Sequence, residues 1–409
     1  MTFKSFTLSD ELQNSLEKNR YSEPTPIQKK VIPFVLKGGD IMAQAQTGSG
    51  KTASFVLPLL ALWQQKAVTK KAKIKILILT PTRELTIQVS EVIKLFSKEF
   101  ERVPKVVTII GGESIGDQLL EIQKGCDIVV STSGRLLDII DKKQINLQTV
   151  EHFIVDEADK MLDLGFSEEL DRILEELPQQ RQNLLFSATY PDKMLQIASR
   201  ITKDPLFIKI EDEQPTVLNI QQRVIKVNKE NKSALLQHLI RTNNFKQVLV
   251  FMASKRATDN LANKFRKYGF LAESFHGGLE QEERKYTLDD FKNSKIKVLF
   301  CTDIASRGLH IDDISCVINY DLPRSPADYI HRIGRTARAG KKGSAISFVG
   351  LEDMEHFALI EKRAEILLER EEIEGFEFRG EVIKKQKGQA PVKGKRKSKK
   401  DKLREQQNK

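Results

Sequence analysis

At 409 residues, 40% of them hydrophobic, the chain is too long for one comfortable core and suits two domains of ordinary size. Its formal net charge is +11, yet residues 384–409 hold 12 lysines and arginines against 2 acidic residues, so the body before them is nearly neutral and any grip on nucleic acid must come from placed residues. No apolar run nears the roughly 20 residues of a bilayer span, no signal-peptide pattern opens the chain, and Cys126, Cys301 and Cys316 have no metal-ligand spacing. The expectation is a cytoplasmic protein with reduced core cysteines.

Leu8, Leu12 and Leu16 recur at helical spacing, and the turn Glu23-Pro24-Thr25-Pro26 precedes a second helix. The apolar run 41–43 then leads into Ala45-Gln46-Thr47-Gly48-Ser49-Gly50-Lys51-Thr52 and Phe55-Val56-Leu57, which reads as strand, glycine-rich turn and helix start. Glycines there let backbone N–H groups close around phosphate oxygens at a helix N-terminus. Lys51 reaches the outer phosphates as a point charge, and the Thr52 hydroxyl suits Mg²⁺. The stretch predicts nucleotide binding, although the generic pattern has Gly where Ala45 stands.

Short unalternated apolar runs follow at 74–79, 106–110, 127–130, 153–155 and 183–186, separated by helical segments. Such runs predict strands buried on both faces of a parallel sheet. The polar segment 211–216 reads as a linker, after which the alternation resumes at 248–251, 271–275, 296–300, 317–319 and 345–349. A closing helix is predicted over 353–373, with Phe357, Ile360, Ala364 and Leu367 packed inward. Disorder is the expectation from Lys384 onward, a basic tail that reads either as a nonspecific RNA tether or as a solubilising extension. The fold class is thus α/β: two tandem, mostly parallel, doubly wound sheets between helices, over 1–210 and 219–378, with a linker at 211–218 and a basic tail at 379–409.

The run Phe153-Ile154-Val155 ends in Asp156-Glu157-Ala158-Asp159. Ligands gather at the carboxyl ends of strands in such sheets. Asp156 would lie beside Lys51 and Thr52 to hold Mg²⁺, and Glu157 would orient a water for attack on the γ-phosphate. Alone, the carboxylates would equally suit an acidic helix start.

With the phosphate loop, this Asp-Glu-Ala-Asp segment resembles the DEAD-box family of ATP-dependent RNA helicases, from about Phe3 to Phe348. In general character it is most similar to the bacterial RhlE-like subgroup. The resemblance implies two RecA-like domains that bind ATP and one RNA strand across a cleft. It implies RNA-stimulated ATP hydrolysis with local unwinding of short duplexes or remodelling of RNA–protein complexes. An ATP-dependent RNA clamp with little unwinding is the alternative. Candidate partners are RNA, held through its backbone without sequence preference, and ribosomal or RNA-decay proteins, with a monomer as default.

Residue by residue, Phe3, Tyr21 and Pro24-Thr25-Pro26-Ile27-Gln28 resemble the adenine-reading segment. A Gln amide offers a donor and an acceptor to the adenine edge, and an aromatic ring can stack on its face. Pro81-Thr82-Arg83, Gly111-Gly112 and Thr132-Ser133-Gly134-Arg135 each follow a strand, and the resemblance gives them the RNA backbone. Gly277, Gln281, Arg284 and Thr302 do the same from the second domain. Asp159, Ser187, Thr189 and His331 are implied to couple hydrolysis to strand separation. In His331-Arg332-Ile333-Gly334-Arg335-Thr336-Ala337-Arg338, Arg335 and Arg338 match arginine fingers that stabilise the transferring phosphoryl. Asp303 and His310 match a segment touching nucleotide and RNA. Four positions depart from the family pattern: Arg20 for Gly, Ser133 for Pro, Ser306 for Ala, and His310 for the Asp expected on the ribose.

Overall fold

The computed structural model describes residues 2–45, 48–65, 72–210, 220–303, 314–337 and 342–380. The expected linker and the tail beyond 380 lie outside them.

Seven strands form the first sheet: β1 (Ile41–Gln44), β2 (Ile76–Leu79), β3 (Val106–Ile109), β4 (Ile128–Ser131), β5 (His152–Val155), β6 (Gln182–Ser187) and β7 (Leu206–Lys209). Their order is β3-β4-β2-β5-β6-β1-β7, all parallel. The second sheet has β8 (Ile220–Lys226), β9 (Val248–Phe251), β10 (Ala272–Phe275), β11 (Val298–Cys301), β12 (Cys316–Asn319), β13 (Gly343–Val349) and β14 (Arg370–Glu371). Their order is β10-β11-β9-β12-β13-β8-β14, again parallel. Helices cover both faces, so the inner strands β2, β4, β9, β11 and β12 are buried along their whole length.

Register brings the site together. Gln44 pairs with Ser187, Val155 with Leu185, and Leu79 with Val155, so the loops after β1, β2, β5 and β6 leave one edge side by side. The cysteines are all buried, and burial pushes the Cys126 thiol up to about 12. No cluster of potential metal ligands and no helix apolar enough to cross a membrane occurs among the described residues.

The closing helix is shorter than its pattern suggests. It runs Met354–Ala364 and stops at Glu365, which takes the left-handed conformation with φ 54°. Phe357 and Ile360 are buried as expected, but Leu367 is 93% exposed and belongs to no core. Past the stop, Arg370 pairs with Glu361 and lies over the Phe357 ring, while Glu371 pairs with Arg223 of β8. These contacts draw the chain into an edge strand where further helix was expected.

Candidate nucleotide and nucleic-acid site

The phosphate loop hangs between β1 and the helix Lys51–Gln64, whose N-cap is Gly50. Gly48 and Gly50 have φ of 87° and 92°, the left-handed region glycine tolerates. At Gly50 a Cβ would lie 2.6 Å from Gln28 Nε2 and 2.9 Å from Thr25 Oγ1, so only glycine fits. Gln28 donates from Nε2 to the Gly50 carbonyl at 3.1 Å and accepts at Oε1 from Thr25 N–H at 2.9 Å. The amide expected on adenine is therefore the strut joining that segment to the phosphate loop, and it is 2% exposed. Phe3 is likewise buried, its ring meeting Phe6 and Tyr21 in T-shaped contacts. Lys51 is buried and donates to the Ala45 carbonyl at 2.6 Å. Gln46 and Thr47 lie outside the described residues.

Beside Lys51, the Asp156 carboxylate is buried and accepts from Glu157 N–H at 2.9 Å. Burial, opposed by Lys51 and reinforced by the adjacent Glu157, raises its pKa to about 6. Burial would also raise Glu157, but Lys160, Lys51 and, from the second domain, Arg335 outweigh it and bring it to about 2. Lys160 did not stand out in the sequence. Its signal was a lysine three residues after Glu157, between Asp159 and apolar Met161 and Leu162 in a buried helix turn. Its ammonium lies 2.9 Å from Glu157 Oε1, and both side chains are nearly inaccessible.

Next to these, Thr189 donates from N–H and Oγ1 to Asp159 Oδ2 at 3.1 and 3.2 Å, and Asp159 N–H donates to Ser187 Oγ at 3.3 Å. The end of β6 is thus tied to the turn carrying Asp156 and Glu157.

The second domain meets this cluster through the helix Pro326–Ile333 and the turn after it. Arg335 is buried, and its Nε donates to the His331 carbonyl at 3.3 Å. Burial, with Lys160 and Arg335 adding positive charge against Asp159 and Glu157, lowers His331 to about 4 and keeps it neutral. Arg332, not singled out from sequence, grips Asp303 with two bonds of 2.6 and 2.7 Å, donates to Asn319 Oδ1 and the Asp321 carbonyl, and stacks over Phe251. Asp303 was expected on nucleotide; the structure instead engages its carboxylate with Arg332, welding the end of β11 to the arginine-bearing helix. Arg338 and His310 lie outside the described residues.

Around the far side of the strand ends lie the elements expected on RNA. Thr82 caps the helix Arg83–Ser97, accepting from Leu85 N–H. The Arg83 guanidinium lies across Gly111 and Gly112, where a Cβ on Gly112 would sit 2.1 Å from Nη1. Arg135 donates to the Glu113 carbonyl at 3.0 Å. Thr132 is the N-cap of Ser133–Asp141, the Ser133 hydroxyl is buried without a hydrogen-bond partner among the described residues, and Gly134 has open space where a Cβ would go. In the second domain, His276 accepts at Nδ1 from Gly278 N–H and bonds Asp259 through Nε2, fixing the turn that holds Gly277. Thr302 N–H reaches the Phe275 carbonyl at the end of β10. Arg284 pairs across the two domains with Glu84 at 2.5 Å, each side chain 7% exposed, and covers the Phe275 ring. Its Nε and the Gln281 Oε1 are buried without a hydrogen-bond partner among the described residues.

Residues 25–197 match the model of the DEAD/DEAH box helicases, and residues 231–340 match that of the helicase conserved C-terminal domain. The chain is 41% identical over 360 residues to the ATP-dependent RNA helicase CshA of Listeria monocytogenes, covering 88% of this chain and 68% of the relative. With the DEAD-box ATP-dependent RNA helicase CshA of Bacillus subtilis it shares 39% over 370 residues, 90% of this chain and 74% of the relative. Against the CshA of Bacillus cereus the chain spans 65% of the relative's length at 43% identity. These names do not specify an RhlE-like subgroup. Among solved structures, S. cerevisiae Dbp5 bound to RNA and ADP BeF3 overlays with a TM-score of 0.81 at 31% identity, covering 91% of this chain and 95% of that one. Mss116p bound to ssRNA and AMP-PNP gives 0.82 at 28% identity, covering 91% and 80%. A DEAD box protein from Methanococcus jannaschii, at 41% identity and covering 90% and 99%, reaches only 0.51.

Proposed function

The chain belongs to the DEAD-box family of ATP-dependent RNA helicases, and from that premise we propose that it hydrolyses ATP when RNA draws its two domains together, and that closure opens short RNA duplexes or remodels RNA–protein complexes. The observation that carries this reading is the shared buried charge cluster: Arg335 and His331 of the second domain act electrostatically on Glu157 and Lys160 of the first. Water is excluded there, so each charge counts for more than at a surface. The solved relatives support it. Two structures described as holding RNA and a nucleotide analogue overlay at 0.81 and 0.82, whereas the M. jannaschii protein, closer in sequence, reaches 0.51. We read the higher overlays with the RNA-bound proteins as support for a similar placing of the two halves in this chain.

In the proposed cycle, Lys51 exchanges the Ala45 carbonyl for the outer phosphates, and backbone N–H groups of the glycine-rich loop take the others. Glu157 accepts from the attacking water, and Arg335 turns from its own helix carbonyl toward the developing phosphoryl charge, as an arginine finger does. The Thr52 hydroxyl and the buried Asp156 carboxylate are hard-oxygen donors of the kind Mg²⁺ takes, and they would hold it. When bound, that ion would neutralise charge on the phosphate oxygens. Asp159, tied to Ser187 and Thr189, carries the state of the nucleotide turn to the strand-end loops. Arg83, Gly112, Arg135 and the turn at Gly277 hold one RNA strand by its backbone, and the closed domains impose a path a duplex cannot follow. The setting is the cytoplasm.

The test is ATP turnover with and without saturating RNA, with matched DNA as control, and strand displacement from a short duplex. RNA-dependent turnover with displacement is expected. Turnover indifferent to RNA overturns the reading, and turnover without displacement leaves an ATP-dependent clamp.

A further inference from the structure

We propose that Lys160 is a positioning residue for hydrolysis: its ammonium fixes one oxygen of the Glu157 carboxylate so that the other is presented to the attacking water. The inference deepens the proposed function and rests on Glu157 orienting that water.

The geometry divides the two oxygens. Oε1 lies 2.9 Å from Lys160 Nζ, with the side chains 7% and 2% exposed. Oε2 is buried and has no hydrogen-bond partner among the described residues. A buried carboxylate oxygen left without a donor is costly unless something outside the fold supplies one. Glu157 itself sits at φ 50°, a conformation a non-glycine residue adopts only when its surroundings hold it there. The Cα position is thus fixed by the turn after β5, and Oε1 is drawn to one side by the charge of Lys160, whose Nζ makes an ion pair but no hydrogen bond among the described residues.

Stability alone does not explain the lysine. A buried ion pair is often no better than two apolar side chains of the same volume, and the rest of this helix turn packs apolar Met161 into the core. The pair also stands where the domains meet. Glu157 is faced by Lys51 from the helix after the phosphate loop, by neighbouring Asp156, by Lys160 on its own helix, and by Arg335 from the second domain. Lys160 is faced by Glu157, Asp159 and Arg335, and it is the main charge acting on His331. Domain closure therefore brings Arg335 and His331 onto a carboxylate already held in place. Burial, joined by Arg335, outweighs the pull of Glu157 and Asp159 and lowers the Lys160 pKa, as expected of an ammonium taken out of water.

The test uses the full chain. Lys160→Met keeps length and volume but removes the charge, and Lys160→Arg keeps the charge. RNA-stimulated kcat of Lys160→Met is expected to fall about 10–100-fold, the scale of a displaced reacting group, with KM for ATP within about 2-fold. Lys160→Arg should recover most of the loss. A second readout needs no turnover: in thermal melting, Lys160→Met and Glu157→Gln should each lower Tm, and the double variant should regain part of it. A Lys160→Met enzyme turning over as fast as the unaltered chain, or faster, overturns the inference alone. So does a Lys160→Arg loss as deep as that of Lys160→Met, or additive melting shifts. If the unaltered chain shows no RNA-stimulated turnover, the proposed function fails and takes this inference with it.

Discussion

Replacing Arg284 by alanine probes domain closure at its most exposed energetic point. Arg284 meets Glu84 from the other domain at 2.5 Å, with both side chains 7% exposed. Burial raises Glu84 and lowers Arg284 despite their mutual attraction, so each charge loses more by leaving water than its partner returns. Removing one partner of such a pair leaves the other buried and alone, at about 3–5 kcal/mol. Inside one domain that cost would fall on folding. Across two domains it falls on closure, because the separated halves return both groups to water. At about 1.4 kcal/mol per tenfold, about 3–5 kcal/mol is on the order of 10²–10⁴-fold in the closed population.

The assay is the RNA concentration giving half-maximal ATP turnover, measured for Arg284→Ala, Glu84→Ala and the double variant. Each single variant should need far more RNA, while melting moves little. The double variant should recover most of the loss, because no charge is left stranded. Additive losses would refute the argument. So would a Glu84→Ala protein with an unchanged RNA requirement beside a crippled Arg284→Ala, since Arg284 would then act on RNA itself, as its motif suggests.

Ser133→Pro should stabilise the first domain by about 1 kcal/mol: Thr132 before it is already extended at ψ 144°, Ser133 opens its helix, and the change removes a buried hydroxyl without a partner. A higher Tm confirms this, and a lower one shows that the hydroxyl matters. Gly112→Ala combines φ 80° with a Cβ 2.1 Å from Arg83 Nη1, so it should displace that guanidinium and raise the RNA requirement at little change in saturated kcat; an unaltered RNA requirement would remove Arg83 from the RNA path. His331 falls from its ordinary value to about 4, so between pH 6.5 and 4 the unfolded chain binds more protons there and stability drops as pH falls. His331→Asn should flatten that part of the stability–pH curve, read by chemical denaturation, and an unchanged slope would place the pH dependence elsewhere.

The chain's fold was legible where strands are buried on both faces, because such strands must be apolar throughout. Ile76–Leu79, Val248–Phe251 and Val298–Cys301 are of that kind. One side of each sheet was not, although the opposite edge strands Val106–Ile109 and Ala272–Phe275 were: the edge strand Leu206–Lys209 has three of four residues exposed, Ile220–Lys226, next to its sheet's edge, runs through Gln221, Gln222 and Arg223, and the edge strand Arg370–Glu371 is two charged residues paired to β8. An edge strand needs only one apolar face, and its partner supplies the rest. Arg20 was legible in a different way: it takes φ 60° where the family pattern has glycine, so the turn before Tyr21 keeps its form at a cost of about 1 kcal/mol.

The site was legible as an inventory of chemical groups but not as a set of partnerships. Sequence order gave Asp156, Glu157 and Arg335 their roles, yet gave no hint that Glu157 faces Lys160, Asp303 faces Arg332, or Arg284 faces Glu84. Each of those pairs joins a motif residue to one outside the motif's expected chemistry, and two of the three involve a charge almost wholly removed from water on both sides. Such pairs contribute little net stability, so their value lies in specifying geometry. The pair at Glu84 exists only while the domains are together, and the pair at Glu157 lies where Arg335 arrives. In the proposed cycle, RNA binding that assembles the first pair would deliver Arg335 to the second, so that hydrolysis would wait on the strand without any residue having to sense both ligands.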